Sequence, residues 1–213
     1  MKQKNTALFD IIFYVVFPFV VWKFSKGIIG NYYAMLLSSV PGIIYTLYRF
    51  QKDRQFNVTG LFIIGTLIIG TIVDLVSGSA KAMLWNDAYY HIVLGIAVMG
   101  TVLIKKPLTL FFAVDIAAIQ GSERAESYQL YKQAPLFRYF QYFTLFYGGQ
   151  YIAVSFLKMY LISVFGVDGY GQMKVLMTAV NWVIAFGIGV GFVLISQKIQ
   201  KQQEAAGSNI LQE

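Results

Sequence analysis

The sequence predicts an all-α polytopic membrane protein with six transmembrane helices, arranged as three hairpins, and one cytoplasmic interfacial amphipathic helix. Two observations lead to this fold class. First, 57% of the residues are hydrophobic and only 13% are charged, whereas about a quarter of the residues of a soluble domain are charged. Second, six apolar stretches approach the roughly 20 residues that a helix needs to cross a bilayer. They are continuous rather than alternating, which indicates helices and not the strands of a barrel.

The first apolar stretch follows a basic N-terminus and resembles a signal peptide. It lacks a small-x-small cleavage site and Asp10 interrupts it, so we expect an uncleaved first span. The six predicted spans are about 7–24, 31–50, 57–78, 88–104, 136–165 and 171–197. Together they predict a single transmembrane domain over residues 1–201, followed by a flexible cytoplasmic tail over residues 202–213.

The basic residues predict how these spans are oriented. With six spans both termini lie on one side of the membrane, and twelve of the 17 lysines and arginines fall on that side. Because basic loops face the cytoplasm, both termini are predicted to be cytoplasmic, in the plasma membrane. The net charge of +7 then belongs to loops beside an anionic leaflet. Nucleic-acid binding is not expected, since no basic stripe is interleaved with aromatic residues outside the spans.

The long connection at about residues 105–135 predicts the interfacial helix. Pro107 suits a helix start, and Gly121 and Ser122 end the pattern. We expect residues 107–120 to bury an apolar face in the bilayer edge or under the helix bundle. The residues of that face recur at roughly helical spacing and are Leu108, Phe111, Phe112, Ile116 and Ile119.

Three stretches of the chain carry a family resemblance: LFDIIFYVVFPFVV at its start, VLIKKPLTLFF after the fourth span and FRYFQYFTLFYGGQYIAVSFLKMYLI in the fifth. They resemble small bacterial inner-membrane proteins distantly related to intracellular septation protein A. In that family the fourth span tends to end in a basic residue, proline and leucine, and the fifth tends to carry threonine, an aromatic residue, glycine and a later basic residue. The matching residues here are Lys106, Pro107, Leu108, Thr144, Tyr147, Gly148 and Lys158.

Two departures from that family pattern are visible, because lysine stands where arginine is more usual and tyrosine where tryptophan is more usual. A lysine is a point charge and does not reproduce the two-pronged contact of an arginine. The resemblance implies a role in the cell envelope, and it supplies no catalytic residue.

Ionisable residues within the apolar stretches are the candidate functional residues, because a charge at membrane depth is costly unless it is paired or hydrated. Asp74 lies near the outer end of the third span, and Lys158 lies in the fifth span without a local carboxylate. We predict that Asp74 and Lys158 form a charge pair near the outer leaflet, since each is about one to two turns from its helix end. In the alternative, Lys158 extends its ammonium outward to the head groups.

Lys81, Asp87 and His91 are predicted to form the wetter rim of the same outer vestibule. His91 is the only histidine of the chain, and imidazole titrates near neutral pH, which makes it a candidate pH-sensitive group. The glycine, serine and asparagine nearby favour a loop instead, in which Lys81 and Asp87 would simply be hydrated. Both interpretations remain open from the sequence.

Asp10 and Asn181 are the other polar residues singled out within the spans. Asp10 is expected to lie at a helix N-terminus facing the inner head groups. Asn181 is expected to form a hydrogen bond between helices. Either residue could also line a path through the bundle.

The chain contains no cysteine, which excludes disulfides, thiolate metal sites and cysteine nucleophiles. One histidine does not predict a zinc site. No nucleophile–base motif, phosphate loop or dinucleotide fingerprint occurs, so neither enzyme activity nor a cofactor is predicted.

Two classes of function are left. One is a non-catalytic envelope protein that organises partner proteins or lipid. The other is a small transporter or channel-like conduit for an ion, a small solute or a lipid head group. The expected partners are the lipid bilayer, envelope proteins or a second copy of the chain.

Overall fold

The computed structural model of the chain describes residues 9–52 and 56–210, with side chains described as far as residue 200. In those residues all the regular structure is helical. A short π-helix, Ile12–Val16, leads into seven α-helices. These are α1 (Phe17–Lys52), α2 (Val58–Val76), α3 (Ala80–Leu103), α4 (Leu108–Ile119), α5 (Arg124–Tyr131), α6 (Leu136–Phe165) and α7 (Tyr170–Ile210).

Four helical stretches are long and apolar enough to cross a membrane, which indicates a helical membrane protein. They are Phe9–Lys52, Val58–Val76, Leu136–Phe165 and Tyr170–Gln200. The predicted number of six spans stays a prediction, because α3 is not among these stretches and the first stretch is much longer than one span.

The chain divides into two compact units. The first unit lies within Met1–Val93 and Ile152–Asn181, and the second within Leu94–Tyr151 and Trp182–Glu213. Helices α3, α6 and α7 contribute residues to both units. Whether residues 1–201 form the predicted single domain stays a prediction. The backbone of α7 is helical as far as Ile210. The flexible tail predicted over residues 202–213 stays a prediction, and its residues 211–213 lie outside the described residues.

Each unit has its own apolar core. In the first unit the buried residues come from α1, α3, α6 and α7, and they are Trp22, Ala34, Met35, Ala80, Met83, Leu84, Ile162 and Met173. In the second unit they come from α4 to α7, and they are Leu110, Ala113, Val114, Ala117, Tyr131, Leu136, Phe140 and Ile195.

Helix α1 consists of two antiparallel arms that meet at Gly30. Gly30 has φ 79° and ψ 162°, a conformation that essentially only glycine adopts. The rings of Phe13 and Tyr45 stack with centroids 4.7 Å apart, and Arg49 Nη1 lies 3.1 Å from Asp10 Oδ1. These pairs lie at nearly equal sequence distances from Gly30, so the chain reverses there. The Phe9–Lys52 stretch is therefore a helical hairpin.

Three turns of the first unit lie at one end, called the turn end below. The Tyr32 hydroxyl donates to the carbonyl oxygens of Asp74 (3.1 Å) and Leu75 (2.9 Å), which joins the turn at Gly30 to the α2–α3 turn. Asn31 Nδ2 donates to Asp168 Oδ1 at 3.3 Å, which joins it to the α6–α7 turn. The arrangement of six spans as three hairpins stays a prediction.

Helix α3 begins at Ala80 rather than near residue 88. Met83 and Leu84 are buried in the core of the first unit, and this burial favours continuing the helix through a segment that contains polar residues. The turn before α3 is limited to a few residues around Gly78, which has φ 69°. The interpretation of Lys81 and Asp87 as loop residues is therefore wrong.

Helix α4 forms within the predicted segment, and the residues it contributes to the core of the second unit lie mainly outside the predicted apolar face. Ile116 and Ile119, both on the predicted apolar face, are exposed, so they do not pack under the helix bundle. Ala113 and Ala117 are buried instead, because their small side chains let α4 approach α5, α6 and α7 within the core of the second unit. The interfacial position of the exposed face stays a prediction.

Candidate functional site

An ion pair between Asp87 and Lys158 forms the centre of the candidate site. Asp87 follows the first residue of α3 by about two turns, and Lys158 precedes the last residue of α6 by the same distance. At about 1.5 Å of rise per residue, both lie about 10 Å along their helices from the turn end. Each side chain is 22% exposed. Pairing at matched depth offsets part of the cost of burying either charge alone.

The structure pairs Lys158 with a different acid from the one predicted. Asp74 lies only about 3 Å of helix rise from the end of α2, so it is shallower than Lys158. Within the described residues its carboxylate forms no ion pair, although it is within electrostatic range of Asp87, Lys158 and Lys174. The prediction was wrong because it took the start of the fourth span too late, which left Asp87 outside the membrane.

His91 lies one turn beyond Asp87 on α3. Its Nδ1 atom is 2.7 Å from the Asp87 carbonyl oxygen and 3.6 Å from Asp87 Oδ1. A carbonyl oxygen can only accept, so Nδ1 carries the proton in this hydrogen bond. His91 is about 16 Å along α3 from the turn end, which is deeper than the ion pair.

Lys174 on α7 completes the site, although from the sequence it counted only among the outer basic residues. Its half-buried side chain lies within electrostatic range of Asp74 and Asp87. The sequence feature that could have identified Lys174 is its position one turn inside an apolar helix. We call the five residues the ionic cluster: Asp74, Asp87, His91, Lys158 and Lys174. The cluster draws on four helices and, with His91 neutral, has no net charge.

Lys81 does not join this cluster. It lies in the first turn of α3 with an exposed side chain, and it makes no hydrogen bond or ion pair with the part of the chain that the structure describes. Of the three residues predicted for a wet outer rim, Asp87 and His91 are half-buried and only Lys81 is exposed. The predicted rim is therefore wrong for Asp87, which lies at the centre of the site.

Asp10 lies near the start of the described helix, and its position at the inner head groups stays a prediction. Asp10 is bound within the first unit, because its Oδ1 accepts from the Tyr45 hydroxyl at 2.8 Å and from Arg49 at 3.1 Å. Asn181 is exposed on α7 and forms no hydrogen bond with the described residues. The hydrogen bond predicted for it between helices is absent from this part of the chain, since its side chain points away from the core.

The second unit contains polar contacts that were not predicted from the sequence. Asp115 is 1% exposed, and its Oδ1 lies 3.1 Å from Arg124 Nη1. Thr109 Oγ1 lies 2.7 Å from Thr144 Oγ1 and donates to the Phe140 carbonyl oxygen at 3.1 Å. Asp115 could have been singled out from the sequence, because it is a single acid in the apolar run FFAVDIAAI. Thr144 was noticed only through the family resemblance.

The chemistry that the ionic cluster offers is the binding of charges of both signs. No group of three or more histidine, aspartate or glutamate side chains that could hold a metal ion occurs in the described ranges. Comparisons with protein-family models, with curated proteins and with solved structures found no match to this chain.

Proposed function

We propose that the chain is a non-catalytic multi-pass membrane protein of the cell envelope that binds the zwitterionic head group of a lipid at the ionic cluster. The observation that supports this proposal is the balance of charge at the turn end, where two acids and two lysines from four helices lie within electrostatic range. The resemblance to inner-membrane proteins related to intracellular septation protein A fits an envelope role.

The topology in this proposal has six spans: the two arms of α1, followed by α2, α3, α6 and α7. Three hairpin turns at one end of the first unit fit that number. Helix α3 has 24 residues, or about 36 Å, which exceeds the roughly 30 Å hydrocarbon core. The bias of basic residues puts both termini in the cytoplasm and the turn end at the outer leaflet.

Within the ionic cluster, Asp74 and Lys174 are the residues proposed to contact the lipid. Asp87 and Lys158 neutralise each other, whereas Asp74 and Lys174 are closer to the helix ends and form no ion pair with described residues. A head group such as phosphoethanolamine offers a phosphate for Lys174 and an ammonium for Asp74. A purely anionic head group would leave Asp74 facing a like charge.

The proposal is tested by measuring which lipid stays bound during purification. The full chain is extracted in mild detergent, and bound phosphatidylethanolamine and phosphatidylglycerol are quantified by mass spectrometry. We expect Asp74→Asn and Lys174→Gln each to lower bound phosphatidylethanolamine about tenfold, because a charge-assisted contact is lost. Lys81→Gln is the matched control and should retain it. Equal retention by all variants, or selective retention of phosphatidylglycerol, would contradict the proposal.

A second function, a small conduit for protons or another ion, is favoured by the depth of His91. An imidazole about 16 Å along a membrane helix, hydrogen-bonded to the Asp87 carbonyl, is placed to exchange a proton with the cluster. Proteoliposomes with an internal pH-sensitive dye test this function. A proton flux that His91→Gln abolishes and Lys81→Gln leaves intact would favour the conduit over the lipid-binding role.

A further inference from the structure

The second unit contains a cavity of about 350 Å³, distinct from the ionic cluster of the first unit. It is lined by residues of α4, α5 and α7 and by the segment that follows α4. Its volume is near the lower end of the range for ligand pockets, about 300–1,000 Å³. Leu130 and Ile199 supply an apolar part of the wall, and the other side chains considered below are polar.

Two largely buried residues that carry hydroxyl groups line this cavity. Ser127 and Tyr131 are each 7% exposed, and their spacing of four residues places them on one face of α5. Neither side chain makes a hydrogen bond to the part of the chain that the structure describes. Neither oxygen is among the buried polar atoms that lack a partner, so the two hydroxyl groups face the cavity and are available to a polar ligand there.

Tyr131 is suited to act as a donor to such a ligand. Burial raises the pKa of its phenol above the usual value of 10.0, because desolvation disfavours the phenolate. The hydroxyl therefore keeps its proton throughout the physiological pH range. Ser127 can either donate or accept.

The charge of the lining selects among polar ligands. Among the described residues that line the cavity, Glu126 is the one charged side chain, and none is a lysine, arginine or histidine. Arg124 on the same helix is paired with Asp115, at 3.1 Å. The lining therefore repels anions and favours a cation, and amide groups from Gln120 and Gln200 add neutral hydrogen-bonding partners.

We infer that this cavity binds a small amino alcohol, whose ammonium group is held by Glu126 and whose hydroxyl groups bond to Ser127 and Tyr131. A carboxylate–ammonium contact is charge-assisted and stronger than the neutral hydrogen bonds around it, so it determines the choice of ligand. This site is separate from the proposed lipid site, and it does not depend on the lipid-binding function.

The test uses the purified full chain in detergent and isothermal titration calorimetry. Serinol, which carries one ammonium and two hydroxyl groups, is the probe. Glycerol, in which a hydroxyl group replaces the ammonium, is its matched neutral control, and inorganic phosphate is the anion control. We expect serinol to bind and glycerol to bind at least about tenfold more weakly.

Three variants test the assigned contacts. Glu126→Gln should weaken serinol binding about tenfold and leave the weak glycerol binding unchanged. Ser127→Ala and Tyr131→Phe should weaken binding of both compounds several-fold. Glu123→Gln, which changes an acid just before α5 that is outside the lining, should bind serinol like the unchanged chain. Lys174→Gln should do the same, which separates this site from the ionic cluster.

The inference is overturned if serinol fails to bind, if glycerol or phosphate binds as tightly, or if Glu126→Gln binds serinol normally. Glu126 is exposed, so its replacement does not disturb the core. Because Tyr131→Phe keeps the buried ring, a loss of binding in a variant with an unchanged melting temperature reports on the contact itself.

Discussion

At the scale of single residues, the ion pair explains how charged side chains are accommodated in an apolar chain. Lys158 has no acid on its own helix within one turn, and α3 supplies Asp87 at the same depth. Breaking a buried pair from one side is costly because the other charge is left without a partner. Removing both partners is less harmful, since the penalty of the unpaired charge also disappears.

The first prediction is a double-mutant cycle on this pair. Asp87→Asn and Lys158→Met should each lower the free energy of unfolding by about 1–3 kcal/mol, less than for fully buried pairs because both side chains are partly exposed. The double variant should be more stable than the sum of the two losses implies. Reversible unfolding in detergent measures all four proteins.

The control for that cycle combines Asp74→Asn with Lys158→Met. Asp74 forms no ion pair with Lys158, so its coupling energy should be much smaller than that of Asp87. A larger coupling for Asp74 than for Asp87 would contradict the assigned pairing and would restore the pair predicted from the sequence.

At the scale of helices, two glycines determine how elements turn or approach each other. Gly30 reverses the chain between the arms of α1. Gly148 on α6 allows close packing in the second unit, where an added Cβ would lie 2.7 Å from the Gly95 carbonyl oxygen and 2.5 Å from Met99 Cγ. The first role depends on backbone conformation and the second on space, so different controls are needed.

Replacing Gly30 with alanine should destabilise the hairpin by about 1–3 kcal/mol, because a side chain strains a residue at φ 79° and ψ 162°. Gly27→Ala is the control. An added Cβ at either position would have nothing within 4 Å, but Gly27 is helical, so alanine there should be neutral or stabilising by up to about 1 kcal/mol. Equal melting temperatures for the two variants would show that Gly30 is not a chain reversal.

Gly148→Ala should destabilise the second unit by about 1–3 kcal/mol, because the new methyl group meets backbone that cannot move without separating α3 from α6. The adjacent Gly149→Ala provides the control, since nothing lies within 4 Å of its added Cβ. Thermal unfolding of the purified variants measures the difference. A Gly148→Ala protein as stable as Gly149→Ala would show that the helices are not in close contact there.

The helices themselves could largely be predicted from the sequence, whereas their contacts could not. Continuous apolar runs marked α2, α6 and most of α7, because length and hydropathy are local properties. The start of α3 was misplaced, since the burial of Met83 and Leu84 depends on residues far along the chain. The residues that α4 buries in the core of the second unit could not be predicted for the same reason, because small alanines rather than large isoleucines fit against its neighbours.

At the scale of the whole molecule, the sequence indicated which residues belong to the candidate site better than it indicated their pairing. Asp74, Asp87, His91 and Lys158 were all singled out, because ionisable residues are rare among apolar ones. Lys174 was not singled out, and Asp74 was given the partner that belongs to Asp87. An ion pair requires that its two residues lie at matched depth on their helices. Because the start of α3 was misplaced, Asp74 rather than Asp87 was predicted as the partner of Lys158.

The central claim is that the chain crosses the membrane six times with the turn end outside, and single-cysteine labelling in spheroplasts tests it most directly. The chain has no cysteine of its own, so Ile28→Cys, Lys81→Cys and Lys106→Cys each introduce one exposed position. A membrane-impermeant maleimide should label positions 28 and 81 in intact spheroplasts, and position 106 only after permeabilisation. Protection of position 28, as expected if Phe9–Lys52 formed one long span, or labelling of position 106 from outside, would contradict the account.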